Sequence, residues 1–278
     1  MRPLRISAIS YLNTSPLMWD FEHGTAAANF EISYTLPSRC AAALREGSAD
    51  IGIIPAAAYT SIPDLTILPD VAIASRQPVR SILLVSKVPL DKIRSVALDT
   101  SSMTSVALTK VLFAMWWRRE VTFSAMNPDL DRMLERNDAA LVIGDPALQI
   151  ERSRYLTFDL AEEWIRFTGK PFVFAFWAVR VAALDELRPG QDLARTFRDS
   201  RDHGLEPQNL DQIVREWAPK LKLSQQDVRI YLTENIYYQL SQDCLQGLEL
   251  FYSYAFQCQA LPSAPEIRFL DAPKPAFK

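Results

Sequence analysis

Apolar and polar positions alternate along the first hundred residues in the grammar of an α/β protein. Residues 5–10, 30–35 and 51–54 are short β-rich runs, the last stopped by Pro55. Residues 16–22 and 38–46 between them carry apolar side chains at helical spacing. Ser38 stands where an N-cap is expected and Gly47 where a helix should end, with Ala41, Ala42 and Leu44 between them. The run over 50–54 is nearly continuous in apolar residues, as in a central strand of a parallel sheet covered on both faces. The same grammar returns further on, with strands over 95–98, 120–123 and 139–143 and helices over 104–119 and 129–136. The two most continuous β segments, 79–86 and 172–180, are expected to be paired crossings between the two units. Residues 185–260 read as helical, with Ser224 and Asp227 spaced as a capping box, and the proline-rich stretch 262–278 as an extended surface tail.

This pattern predicts an α/β chain with a two-lobed type II periplasmic-binding-protein-like fold and its ligand cleft between the lobes. Residues 1–85 and 176–278 are expected to form the first lobe, with the C-terminal helices, and residues 86–175 the second. Open α/β sheets bind ligands beyond the carboxyl ends of their strands, so the informative residues are those that follow each strand.

Composition narrows the chemistry. With 49% hydrophobic residues among 278 the chain can bury a sizeable core, and a net charge of -3 without blocks of like charge offers nucleic acid or an anionic membrane nothing to hold. Three cysteines, Cys40, Cys244 and Cys258, suit a reducing compartment and form no C-x-x-C pair. The apolar residues after Arg2 and Arg5 are interrupted by Ser7, Ser10, Asn13 and Pro16, so no secretory signal is expected and the protein reads as soluble and cytoplasmic. Eight scattered glycines exclude both G-x-G-x-x-G and a P-loop. Two histidines 180 positions apart, His23 and His203, support no zinc motif, so neither metal nor cofactor is expected. The oligomeric state is left open.

Four strand ends carry candidate chemistry. After the first strand come Tyr11, Asn13 and Thr14, in a loop where five of six residues before Pro16 bear hydrogen-bonding side chains. Pro16 in a first helical turn would leave neighbouring N–H groups free for a carboxylate. Before the first crossing stand Arg80 and Ser81; side chains alternate along a strand, so they cannot both face a ligand, and Ser81 is favoured. Thr100, Ser101, Ser102, Thr104 and Ser105 place five hydroxyls in six residues at a helix start, more than capping needs, which points to an anion site at the positive end of the dipole. Gly144 permits close backbone approach, and Asp145 is placed to cap, to accept from a ligand hydroxyl or to act as a base. Phe172, Phe174, Phe176 and Trp177 are at strand spacing and mostly core, with one ring available to stack on a flat ligand; Asp159, Glu162, Glu163 and Trp164 read as a solvated helix face.

With Ser-Tyr-Leu-Asn-Thr at 10–14, Pro-Val-Arg-Ser at 78–81, Val-Ala-Leu-Asp-Thr-Ser-Ser at 96–102, Ile-Gly-Asp at 143–145, and Glu-Glu-Trp at 162–164 followed by Thr-Gly-Lys-Pro-Phe-Val-Phe-Ala-Phe-Trp, the chain resembles the chorismate dehydratases of the futalosine route to menaquinone. The resemblance implies loss of water from chorismate to give 3-[(1-carboxyvinyl)oxy]benzoate. A later naphthoate synthase of that pathway relies on a catalytic histidine, and neither His23 nor His203 stands at a strand end. The resemblance leads to Asn13 and Ser81 as catalytic groups, the enolpyruvyl carboxylate of the substrate or Asp145 being the base. A non-catalytic, cytoplasmic carboxylate-binding module of the same fold is the alternative that residues alone leave open.

Overall fold

A computed structural model describes residues 2–24 and 26–270. Ten strands follow in chain order: β1 (Leu4–Ile9), β2 (Phe30–Thr35), β3 (Ile51–Pro55), β4 (Leu65–Ser75), β5 (Ile82–Ser86), β6 (Ser95–Asp99), β7 (Thr122–Met126), β8 (Ala139–Ile143), β9 (Leu156–Asp159) and β10 (Phe172–Arg180). They form two five-stranded sheets, β2-β1-β3-β10-β4 and β7-β6-β8-β5-β9. The plans match. β1 runs parallel to β2 and β3, and β6 parallel to β7 and β8. The fourth strand of each sheet, β10 in the first and β5 in the second, is antiparallel to both of its neighbours.

That plan corrects the expected crossings. β5 pairs along its whole length with β8, and β10 pairs only with β3 and β4, so neither long β segment bridges the sheets. The chain crosses instead over 76–81 and returns over 169–171. The physical reason is burial: β5 is buried throughout and β10 nearly so. A continuous apolar run marks a strand covered on both faces rather than a connection between lobes.

Local corrections have equally local causes. The helix Pro37–Glu46 begins with Pro37, whose fixed φ suits a first helical position, so Ser38 lies inside it and its N–H donates to the Ser101 carbonyl. Gly47 ends that helix at φ 77° as expected. Pro16 lies within a 3-10 segment, Leu12–Met18, rather than in a first turn. The helix expected over 104–119 is α-helical only over Thr104–Val111 and then widens into a π turn, Leu112–Trp116. Of the expected capping box one half forms: Ser224 Oγ accepts the Asp227 N–H, while the Asp227 carboxylate accepts the Ser224 hydroxyl instead of its backbone N–H.

The C-terminal helices pack chiefly on the first sheet. Helix Leu193–Gly204 lies against the 3-10 segment so closely that a Cβ on Gly204 would stand 2.1 Å from the Pro16 carbonyl oxygen. Helix Gln242–Gln257 contacts both β10 and helix Thr104–Val111 and so spans the two halves. One apolar core runs through both halves, and a smaller cluster around Leu83, Met133 and Val142 packs separately in the second. Of the expected tail, 268–270 pair with Ile67 of β4, and 271–278 lie outside the described residues.

Candidate functional site

A cavity of about 50 Å³ lies between the sheets, at the ends of the strands from both. Small-molecule sites are commonly ~300 Å³ or more, so this cleft is drawn nearly shut and must widen to take a ligand. Its apolar wall includes Ile9, Pro55, Ile73, Ile82, Ile143 and Phe174; its polar groups are Tyr11 and Asn13 from the first half and Ser102, Thr104 and Ser105 from the second, beside Gly144. Phe174 is thus the ring of the aromatic stretch that reaches the cleft. Neither histidine lines it, and His203 pairs with Asp20 on the surface at 2.8 Å.

The hydroxyl-rich loop divides its labour. Thr100 is exposed, with its hydroxyl donating to Asn127 Oδ1 at 3.3 Å, and it does not line the cavity. Ser101 gives both its N–H and its hydroxyl to Asp99 Oδ1, at 2.8 and 2.6 Å. Burial pushes the Asp99 carboxyl above its ordinary range, and those two donors oppose the rise. Thr104 is spent on closure: its hydroxyl donates to the Phe174 carbonyl at 3.0 Å and accepts from the Ala57 N–H at 3.1 Å, pinning the helix start to the first half. Ser102 and Ser105, both buried, make no side-chain hydrogen bond among the described residues and face the cavity at the positive end of helix Thr104–Val111. Among the described residues no basic side chain lines the cavity, so an anion there would meet hydroxyls, the Asn13 amide and backbone N–H groups.

At the crossing the backbone separates Arg80 from Ser81. Arg80 adopts φ 65°, its N–H donates to Asp159 Oδ2 at 2.6 Å, and its guanidinium turns to Asp227, 3.7 Å away, instead of the cleft. Ser81 is buried and accepts a 2.9 Å hydrogen bond from the Tyr231 hydroxyl. Asn13 is a further polar neighbour of that hydroxyl, while Thr14 donates at 3.5 Å to Asn13 Oδ1 and lies behind the wall. Asp159 is no solvated residue: it is buried and accepts the N–H groups of Val79, Arg80, Ala161 and Glu162, tying the crossing to the helix Leu160–Thr168. Glu163 is likewise buried, and it accepts both the Trp116 and Trp117 indoles, at 2.9 and 3.0 Å. Tyr231 and these two carboxylates are the groups that local sequence reasoning misses or misassigns, because their partners lie far along the chain.

The two halves meet at Tyr11, Gly144 and Asp145. The Tyr11 ring lies on Gly144, and the Leu12 N–H donates to Asp145 at 3.0 Å. Burial pushes the Tyr11 hydroxyl up to about 12, opposed by the neighbouring Ser101. Burial also pushes the Asp145 carboxyl up to about 6, opposed by the Leu12 N–H. A raised carboxyl contributes stability that is present below the unfolded value, near pH 4, and lost as pH rises through 6. Asp145→Asn, which keeps an acceptor for Leu12, is therefore expected to stabilise the protein by ~1–2 kcal/mol at pH 8 and by nothing at pH 4. Melting temperatures at the two pH values check this, and an equal shift at both would remove the titration from the account.

A family model described as menaquinone biosynthesis matches residues 4–257. The chain belongs to this menaquinone-biosynthesis family. Its relatives include a chorismate dehydratase of Thermus thermophilus, 28% identical over 95% of this chain and 98% of that one. Another, of Campylobacter jejuni, is 28% identical over 69% of this chain and 68% of its own. Among solved structures, the periplasmic aliphatic sulphonate binding protein of Escherichia coli superposes with a TM-score of 0.65 at 15% identity, covering 96% of each chain. At that identity the likeness speaks for the fold, and the family has the two-lobed binding-protein architecture here.

Proposed function

We propose that this protein is a chorismate dehydratase, a hydro-lyase that converts chorismate to 3-[(1-carboxyvinyl)oxy]benzoate and water. The observation that carries the reading is the match to a chorismate dehydratase over nearly the full chain, in a fold that brings the polar strand-end loops of both halves to one cleft. A dicarboxylate needs two anion pockets, and the Asn13 loop and the helix start at Ser102 and Ser105 offer them from opposite sides.

The chemistry asks little of acid or base strength. The C3–H and C4–O bonds of chorismate break, the electron pair of the former completes the aromatic ring, and hydroxide leaves as water with the proton removed from C3. Aromatisation supplies the driving force, so the protein contributes orientation, exclusion of water and hydrogen bonds to the groups in motion. The enolpyruvyl carboxylate takes the C3 proton; Asn13 holds that carboxylate, and Ser81 donates to the departing hydroxyl. Purified protein incubated with chorismate should yield an aromatic product seen by ultraviolet absorbance and chromatography. Binding without product would leave a carboxylate-binding module instead.

A further inference from the structure

Ser81 is joined by a single buried contact to a residue 150 positions away. Tyr231 opens the π turn Tyr231–Asn235 at the end of helix Gln225–Ile230, and its side chain is almost wholly enclosed. A phenylalanine would fill the same space, and burying a phenol hydroxyl is costly unless it is bonded. Its bond goes to Ser81 Oγ at 2.9 Å, with Asn13 close by. Single-turn π segments recur at functional sites.

We infer that Tyr231 is a positioning residue, whose hydroxyl donates to Ser81 Oγ and so leaves the Ser81 hydrogen free for a substrate in the widened cleft. A serine hydroxyl has one hydrogen and two lone pairs. With one lone pair committed to Tyr231 and no acceptor for its own hydrogen among the described residues, the buried Ser81 hydroxyl, one residue before the wall residue Ile82, has a proton to give once the cleft widens. Accepting a hydrogen bond also polarises the Ser81 O–H and strengthens it as a donor to departing hydroxide. Burial holds the Tyr231 hydroxyl protonated far above its ordinary range, so it stays a donor through the working pH range.

This inference rests on the reading of Ser81 as the group that meets the substrate, and a double-mutant cycle tests the two separately. Tyr231→Phe is expected to lower kcat for chorismate by about 10- to 100-fold with KM within threefold, and Ser81→Ala to lower it further. The double variant should then be no slower than Ser81→Ala, because Tyr231 acts through that hydroxyl. A tetrafluorinated tyrosine introduced at 231 preserves the shape and should add an alkaline limb to the kcat profile as its more acidic hydroxyl ionises. An unchanged kcat in Tyr231→Phe, multiplying effects in the double variant, or no alkaline limb overturns the positioning role. Normal turnover by Ser81→Ala overturns the catalytic reading beneath it.

Discussion

Asn13→Ala and Ser81→Ala are each expected to lower kcat for chorismate by about 10²–10⁴ in a folded protein that still binds the substrate. The expectation follows from where the two groups sit. Asn13 lines the cavity, Ser81 precedes the wall residue Ile82, and both are neighbours of the same Tyr231 hydroxyl. Asp145 is placed differently. Its carboxylate already receives the Leu12 N–H, and burial there serves the contact between the halves. Asp145→Asn should therefore change kcat far less than either alanine, acting through closure and stability. A chorismate analogue with a neutral amide in place of the enolpyruvyl carboxylate should bind and remain unreacted. Dehydration of that analogue at a normal rate would remove the substrate's own base from the mechanism. So would a folded, chorismate-binding Asp145→Asn protein without turnover, and Asp145 would take its place.

Most strands are legible in the sequence because burial imposes a pattern on them. β1, β3, β6 and β8 fall within a residue or two of the apolar runs that predict them, since each must pack on both faces of a sheet. The crossings are not legible in this way. An apolar run such as 172–180 reports that a strand is buried without saying which sheet buries it, and here it returns to the first sheet against β3 and β4. Apolar spacing continues beyond helix Thr104–Val111 through Leu112 and Phe113, so the sequence does not show where the hydrogen-bonding pattern changes to that of a π turn.

The candidate site divides along the same line. Hydroxyl density marks the 100–105 loop, and the fold does bring Ser102, Thr104 and Ser105 to the cleft. It cannot mark which hydroxyl is free: Thr104 is consumed by Ala57 and Phe174, contacts 47 and 70 residues distant. Strand alternation cannot decide between Arg80 and Ser81, because both precede the strand: Arg80 turns to φ 65° and out to Asp227, and Ser81 is buried one residue before the wall residue Ile82. Tyr231 gives no local sign at all, because its polarity has meaning only beside Ser81.

Gly144→Ala is expected to reduce kcat/KM by at least about 100-fold, by obstructing the contact that shuts the cleft. Two separate effects act there. Gly144 has φ 66° and ψ −147°, a region nearly reserved for glycine, and forcing another residue into it costs ~1–3 kcal/mol. A Cβ would also stand 2.5 Å from Tyr11 Cε2 and 2.7 Å from Cζ, so the ring from the first half must move away. The Asp145–Leu12 hydrogen bond on the next residue would be stretched with it. Gly169 provides the control: it has φ 68°, yet nothing lies within 4 Å of the Cβ position. Gly169→Ala should therefore show a modest loss of melting temperature, from backbone strain alone, and near-normal turnover. In small-angle scattering with saturating chorismate, Gly144→Ala should keep a larger radius of gyration than the parent protein while Gly169→Ala matches it. Parental compactness and turnover in Gly144→Ala would mean that the cleft works without the Tyr11 ring seated on this glycine.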